Sequence, residues 1–167
     1  MALNFNFLIY LVFLISTSSV YSADLPEKWS GVVTRVKDGD TVVVGGHTCR
    51  LYGIDAPEIA HGKKPGQPYG EESKRALEGL ILNKVVDIQT TGAKTYKRDV
   101  CRIFLDGTDV NIEMVRWGYA WAYVQYLKRP YASEYIDAER KALTGRLGLW
   151  QDSLPTPPWE FRHNKKR

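Results

Sequence analysis

Thr41-Val-Val-Val-Gly-Gly-His-Thr-Cys-Arg-Leu-Tyr52 reads as a β-hairpin. Residues 41–44 are β-branched throughout, a composition that suits a pleated, half-buried surface. Gly45-Gly46 supplies the two residues that tolerate the positive φ of a tight hairpin turn, and residues 47–52 bring the chain back. Upstream, residues 31–36 alternate in part and predict a strand leading into the hairpin. Downstream, residues 57–69 hold two Gly, three Pro and the basic pair Lys63-Lys64, which leaves no room for periodic structure and predicts a loop. Residues 71–82 place Ala76, Leu77, Leu80 and Ile81 on one helical face. Strand character resumes at 85–89 and at 100–105, where Asp106-Gly107 ends it.

The remainder reads as helical. Val110, Met114 and Val115 fall at helix spacing before Gly118, and Ser133 is placed to cap a helix that carries Tyr135, Ala138 and Ala142 inward. Five strands, with a helix between the third and fourth and more helices after them, suggest a β-barrel plus α class. The expected form is a five-stranded OB-fold barrel with about three packed helices. Leu154-Pro-Thr-Pro-Pro158 predicts an extended strap, and the basic residues 162–167 a mobile end.

A chain of 167 residues fits one domain, and 44% hydrophobic with 12% aromatic residues argues for a folded globule over a disordered chain. The net charge of +4 and a pI near 9.0 favour an anionic partner, though only weakly. Residues 1–22 contain no Lys, Arg, Asp or Glu, and 7–15 form an unbroken apolar run. That run is shorter than the roughly 20 residues that span a bilayer, and it suits the core of a secretory signal. Val20-Tyr-Ser22 is the expected cleavage site, although the basic start of such signals is missing. The expected organisation is a signal peptide at 1–22, a folded domain at 23–153 and a Pro-rich, basic tail at 154–167. The mature protein is then secreted or periplasmic, monomeric and without stable membrane association. Cys49 and Cys101 either pair in that oxidising compartment or pack as buried thiols.

Asp38-Gly-Asp40 alone is an ordinary turn sequence. Its weight comes from Arg50 and from Asp55-Ala-Pro-Glu58, the first aspartate of which follows Asp40 by 15 residues. Alternate residues of a strand share a face, so a hairpin can bring Asp40 beside Asp55. Two carboxylates that close repel unless a cation sits between them. Carboxylate oxygens suit Ca2+ and Mg2+, while the guanidinium forks of Arg50 and Arg98 match phosphate oxygens. Together they imply a phosphodiester ligand. His47, His61 and His163 are isolated and read as loop or tail residues, and no side chain reads as a covalent nucleophile.

Val36-Lys-Asp-Gly-Asp-Thr41, Arg50-Leu-Tyr-Gly-Ile-Asp-Ala-Pro-Glu58, Tyr69-Gly70, Tyr96-Lys-Arg98 and Gly118-Tyr-Ala-Trp121 resemble, in order, the motifs of the staphylococcal nuclease (thermonuclease) family. The resemblance covers roughly residues 29–150. It implies an OB-type barrel and a Ca2+-dependent phosphodiesterase acting on DNA and RNA. By motif position it makes Asp40 and Asp55 carboxylate ligands of Ca2+, and Ala56 a main-chain ligand. It makes Arg50 and Arg98 a clamp on the scissile phosphate, Glu58 the residue that orients or deprotonates the attacking water, and Asp38 an outer neighbour of the metal. Lys63, Lys64, Tyr96, Lys97 and Tyr123 are candidates for substrate contact, with Tyr126 and Tyr131 further aromatics that could stack on bases. The spacing of Tyr123, Tyr126 and Tyr131 does not match the family's substrate tyrosines, so packing against the barrel is the expected job of at least one. Two departures stand out: Ala56 replaces a common Thr, and Lys97 replaces a Gly, so the turn there must avoid positive φ or accept strain. The competing reading is a catalytically inactive OB-type nucleic-acid-binding module.

Overall fold

The computed structural model describes residues 27–164, so the expected signal segment and the last three basic residues lie outside the described residues. The chain runs β1 (Lys28–Asp38), β2 (Thr41–Val44), β3 (His47–Leu51), β4 (Ile54–Asp55), α1 (Gly70–Ile81), β5 (Val85–Thr95) and β6 (Arg98–Leu105). It continues through β7 (Thr108–Asp109), α2 (Val110–Arg116), β8 (Trp121–Ala122), α3 (Ala132–Thr144) and α4 (Pro158–Asn164). Short 3-10 turns occupy Val124–Tyr126 and Gly148–Gln151.

Gly45 and Gly46 both take positive φ, 55° and 87°, and join β2 to β3 in the tight turn that the sequence predicts. From there the pairings run in a ring. β3 lies parallel to β6, β6 antiparallel to β5, β5 antiparallel to β1, and β1 antiparallel to β2. The five-stranded barrel with packed helices is therefore the architecture, with β4, β7 and β8 as two-residue additions. The described residues hold four α-helices, because the tail forms one more than the sequence suggests.

Alternation fills the interior. Val42 and Val44 of β2, Cys49 and Leu51 of β3, Val86 and Ile88 of β5, and Cys101 and Ile103 of β6 are all buried. Each aliphatic side chain so enclosed contributes about 1.5–3 kcal/mol. α1 adds Leu77 and Ile81, and α2 adds Val110, Met114 and Val115. Asp109 caps α2 by accepting the Ile112 N–H at 3.1 Å. Asn111 beside it is fully buried and stitches strand ends together. Its carbonyl accepts from Ile103 N, and its amide donates to the carbonyls of Tyr52 and Cys101.

Several local expectations are corrected. Ser133 does not cap α3, which begins one residue earlier, at Ala132, with Tyr131 at the cap and no side-chain hydrogen bond. His47 stands in β3 against the Trp29 ring, not in a loop. Residues 158–164 are helical because Pro158 at the first turn has its φ preset and no N–H to satisfy. Cys49 and Cys101 are buried free thiols. They share a face of the β3–β6 pair, but the parallel register sets Leu51, not Cys49, opposite Cys101. The two thiols nonetheless meet across that diagonal, and the hydrogen bond between them, together with burial, pushes the Cys101 thiol up.

Candidate active site

Asp40 follows the bend after β1, and Arg50 lies opposite Thr41 in the β2–β3 ladder. The chain then turns at Gly53 into β4, which carries Asp55. This path brings three side chains onto one another. Arg50 Nη1 bonds Asp40 Oδ1, while Arg50 Nη2 bonds Asp55 Oδ1 at 2.8 Å and the Ile54 carbonyl at 3.3 Å. Asp40 Oδ1 also accepts from Thr41 Oγ1 at 2.9 Å, and its Oδ2 accepts the Ala56 N–H at 3.0 Å. Gly39 has a steric reason to be glycine: a Cβ there would lie 2.7 Å from the Ala56 Cβ and would collide with Ser73.

Burial would raise the Asp40 carboxyl, but the Arg50 charge and hydrogen bonds outweigh it and hold the group below its ordinary value. Asp38 accepts the Asp40 N–H at its Oδ1 at 3.1 Å. Burial and the adjacent Asp40 charge push it up to about 7. Asp55 is raised by its own burial, which the hydrogen bond from Arg162 only partly offsets.

Glu58 sits where the chain leaves β4 through Pro57, and it is half-exposed. Gln67 fixes its main chain. Arg98 opens β6, directly after the Tyr96-Lys97 turn, with its Nε 3.4 Å from the Thr95 carbonyl and its guanidinium 6.0 Å from the Tyr96 ring centre. Because β3 and β6 pair, Arg50 and Arg98 reach from adjacent strands, as a shared phosphate would require. The positive φ of this turn falls on Tyr96, at 51°, so Lys97 need not adopt the backbone of the glycine it replaces.

Asp40, Arg50, Asp55, Ala56, Glu58, Arg98, Tyr96 and Tyr123 all line one cleft of about 930 Å3. Lys63, Lys64 and Lys97 do not line it: Lys63 and Lys64 are exposed in the turn bridged between His61 and Lys64, and Lys97 at the hairpin tip. Tyr123, Tyr126 and Tyr131 do line it, but each already has a partner within the chain. Tyr123 stacks on Trp159 and meets Tyr126, and Tyr131 lies 4.0 Å from the Arg102 guanidinium.

Arg162 is the residue that sequence reasoning missed. Its fork bonds Asp55 at Oδ1 (3.1 Å) and Oδ2 (2.7 Å), and Nη1 also reaches Glu58 Oε1 at 2.7 Å. The available signal was Pro158-Trp159, a helix-starting proline followed by an aromatic three residues before Arg162.

Among the described residues no group of three or more His, Cys, Asp or Glu forms a ready metal cage. The donor set nonetheless fits a hard cation. Asp40 and Asp55 are both buried, both linked to the single Arg50 guanidinium, and offer only oxygen. Two such donors need main-chain or water oxygens to complete a shell, and Ala56 adjoins both.

The staphylococcal nuclease homologue model matches residues 48–152, which span β3 to the second 3-10 turn and include Arg50, Asp55, Glu58 and Arg98. A rice (Oryza sativa subsp. japonica) protein named "Probable staphylococcal-like nuclease CAN1" is 38% identical over 128 residues, 77% of this chain but 36% of that protein. The chain thus spans about a third of that relative's length. An "Uncharacterized endonuclease" of Haemophilus influenzae is 34% identical over 95% of this chain and 86% of its own length. One from Escherichia coli O157:H7 is 37% identical over 93% and 96%. The ring of strands, the cleft residues and these matches agree: the chain belongs to the staphylococcal nuclease homologue family.

Proposed function

We propose that the protein is a Ca2+-dependent nuclease that hydrolyses phosphodiester bonds of DNA and RNA with little sequence preference. The observation that carries this reading is the meeting of Asp40, Arg50, Asp55 and Glu58 in one cleft, with Arg98 on the strand beside Arg50. Asp40, Asp55 and the Ala56 carbonyl would hold the cation, which when bound polarises a nonbridging phosphate oxygen.

The chain's own residues supply the rest. A phosphodiester is an anion, and water approaches its phosphorus only once that charge is offset. Arg50 and Arg98 offer planar pairs of N–H groups to the equatorial oxygens, where negative charge gathers in the transition state. Asp40 and Asp55 hold the Arg50 fork in place, so its orientation is set before substrate arrives. Ionised Glu58 accepts a proton or hydrogen bond from the attacking water. No sugar or base edge enters this chemistry, which supports activity on both nucleic acids.

Plasmid DNA and a structured RNA, each incubated with Ca2+, Mg2+ or excess chelator, test the reading. Cleavage of both with Ca2+ is expected, with less turnover in Mg2+ because its octahedral geometry is stricter. Full activity in chelator overturns the cation requirement, and binding of nucleic acid without cleavage in any condition leaves an inactive binding module. Export directed by residues 1–22 belongs to the same proposal. Amino-terminal sequencing of the protein recovered outside the cytoplasm, with Ala23 as the expected first residue, tests it.

A further inference from the structure

Both Asp55 oxygens already accept from a guanidinium. Arg50 holds Oδ1, and Arg162 holds both oxygens while also bonding Glu58. A carboxylate has about four acceptor positions, so an added cation must share or displace these partners. Positive centres within a few Å repel, and of the two guanidiniums Arg162 is the one free to leave, because Arg50 is more enclosed and also bonded to Asp40.

Arg162 is not there by its own charge alone. Trp159, one turn earlier in α4, lies face to face with Tyr123, their ring centres 5.2 Å apart and their planes within 4°. It meets Trp121 edge-on at 5.7 Å. The Gln67 amide donates to the Thr156 carbonyl ahead of the helix. These anchors come from two segments, residues 121–123 and the 57–69 loop, and together they aim one guanidinium into the mouth of the cleft. Asp55 beneath it is closed off, while the Arg162 side chain itself stays 39% exposed, with solvent to retreat into.

We propose that residues 155–164 form a strap that competes with the divalent cation, Arg162 neutralising Asp55 and Glu58 until the cation expels it. Departure of the fork frees Asp55 for the cation and Glu58 for water, and it opens the cleft beside Tyr123 to polynucleotide. The coupling is reciprocal: whatever factor the strap takes from cation affinity, the cation takes from strap docking. This proposal rests on reading Asp40 and Asp55 as the cation site.

Calorimetric titration of Ca2+ into the chelator-stripped full chain tests it, using the wild type, Arg162→Ala and Trp159→Ala, alongside hydrogen exchange of residues 155–164 with and without Ca2+. Arg162→Ala removes the competitor. Trp159→Ala removes an anchor and touches no carboxylate, so a gain there cannot arise from deleting a charge. Both variants are expected to bind Ca2+ more tightly, by about tenfold for Arg162→Ala. In the wild type, Ca2+ should speed exchange in the strap. Equal affinity in all three proteins with unchanged exchange overturns the strap and leaves the cation site standing. No Ca2+ binding by any of them overturns both.

Discussion

Gln67 grips the main chain of Glu58 from both sides: Gln67 N donates to the Glu58 carbonyl at 2.7 Å, and Glu58 N donates to Gln67 Oε1 at 3.2 Å. The side chain is buried in the 57–69 loop and is the link between that loop and Thr156. Replacing it by Ala should displace Glu58 without dismantling the barrel. A misplacement of about 1 Å can cost on the order of 10²-fold in rate, so kcat for Gln67→Ala should fall by about 10- to 100-fold. Steady-state kinetics beside a circular dichroism spectrum of the variant check this, and unchanged kcat would show that Glu58 is held by other contacts.

Arg50→Lys and Arg98→Lys keep the charge but lose the planar fork. Activity should drop on the order of 10²-fold or more for each, the scale seen when a transition-state donor is removed. The two variants should differ in stability. Arg50 joins two buried aspartates, whereas among the described residues Arg98 bonds the Thr95 carbonyl within its hairpin and lies by Tyr96. Denaturant unfolding should therefore show Arg50→Ala less stable by about 3–5 kcal/mol, with Arg98→Ala nearly unchanged.

Glu139 on α3 accepts the Ala122 N–H at 2.9 Å, and burial raises its carboxyl above the ordinary value, the hydrogen bond only partly offsetting this. The folded state therefore holds this proton more tightly than the unfolded chain does. Its contribution is full below the unfolded value and is lost as pH rises through the raised one. Glu139→Gln keeps an acceptor for Ala122 and abolishes the titration. The Tm of the variant relative to wild type should accordingly climb as pH rises above the ordinary carboxylate range. A pH-independent difference would place the Glu139 proton equally in both states.

Cys49 and Cys101 should titrate as two thiols per chain when the protein is unfolded without reductant. Both thiols are enclosed in the barrel, out of reach of oxidants in the folded state. Fewer than two thiols would mean that the strands shift to allow a bridge.

What the sequence made legible was local. The Thr41–Val44 run, the Gly45-Gly46 turn and the inward stripe Tyr135, Ala138, Ala142 follow from short-range periodicity, and the structure realises each. Asp40, Arg50, Asp55 and Glu58 are close in the chain, so one hairpin suffices to gather them. Arg162 was not legible, because its place depends on Trp159 meeting Tyr123 and Trp121 and on Gln67 reaching Thr156. No spacing rule encodes contacts between residues so far apart. The Tyr96-Lys97 turn was half legible: with Lys97 in place of a Gly, the turn had to avoid positive φ or accept strain, and that the positive φ falls on Tyr96 goes with the register Thr95 with Arg98 that closes the hairpin.

The parallel seam between β3 and β6 has a bearing on the life of the chain before it is folded. Hairpins such as β2–β3 can form as soon as their residues are made, but the seam joins segments with a helix and a whole strand between them, and pairings of that separation form late. Arg50 and Arg98 stand side by side only when it closes. A chain still being synthesised carries both arginines but not the strand pairing that brings them to one cleft. On the proposed function, a nucleic acid that meets the chain early meets no assembled cleft until the last strands pair.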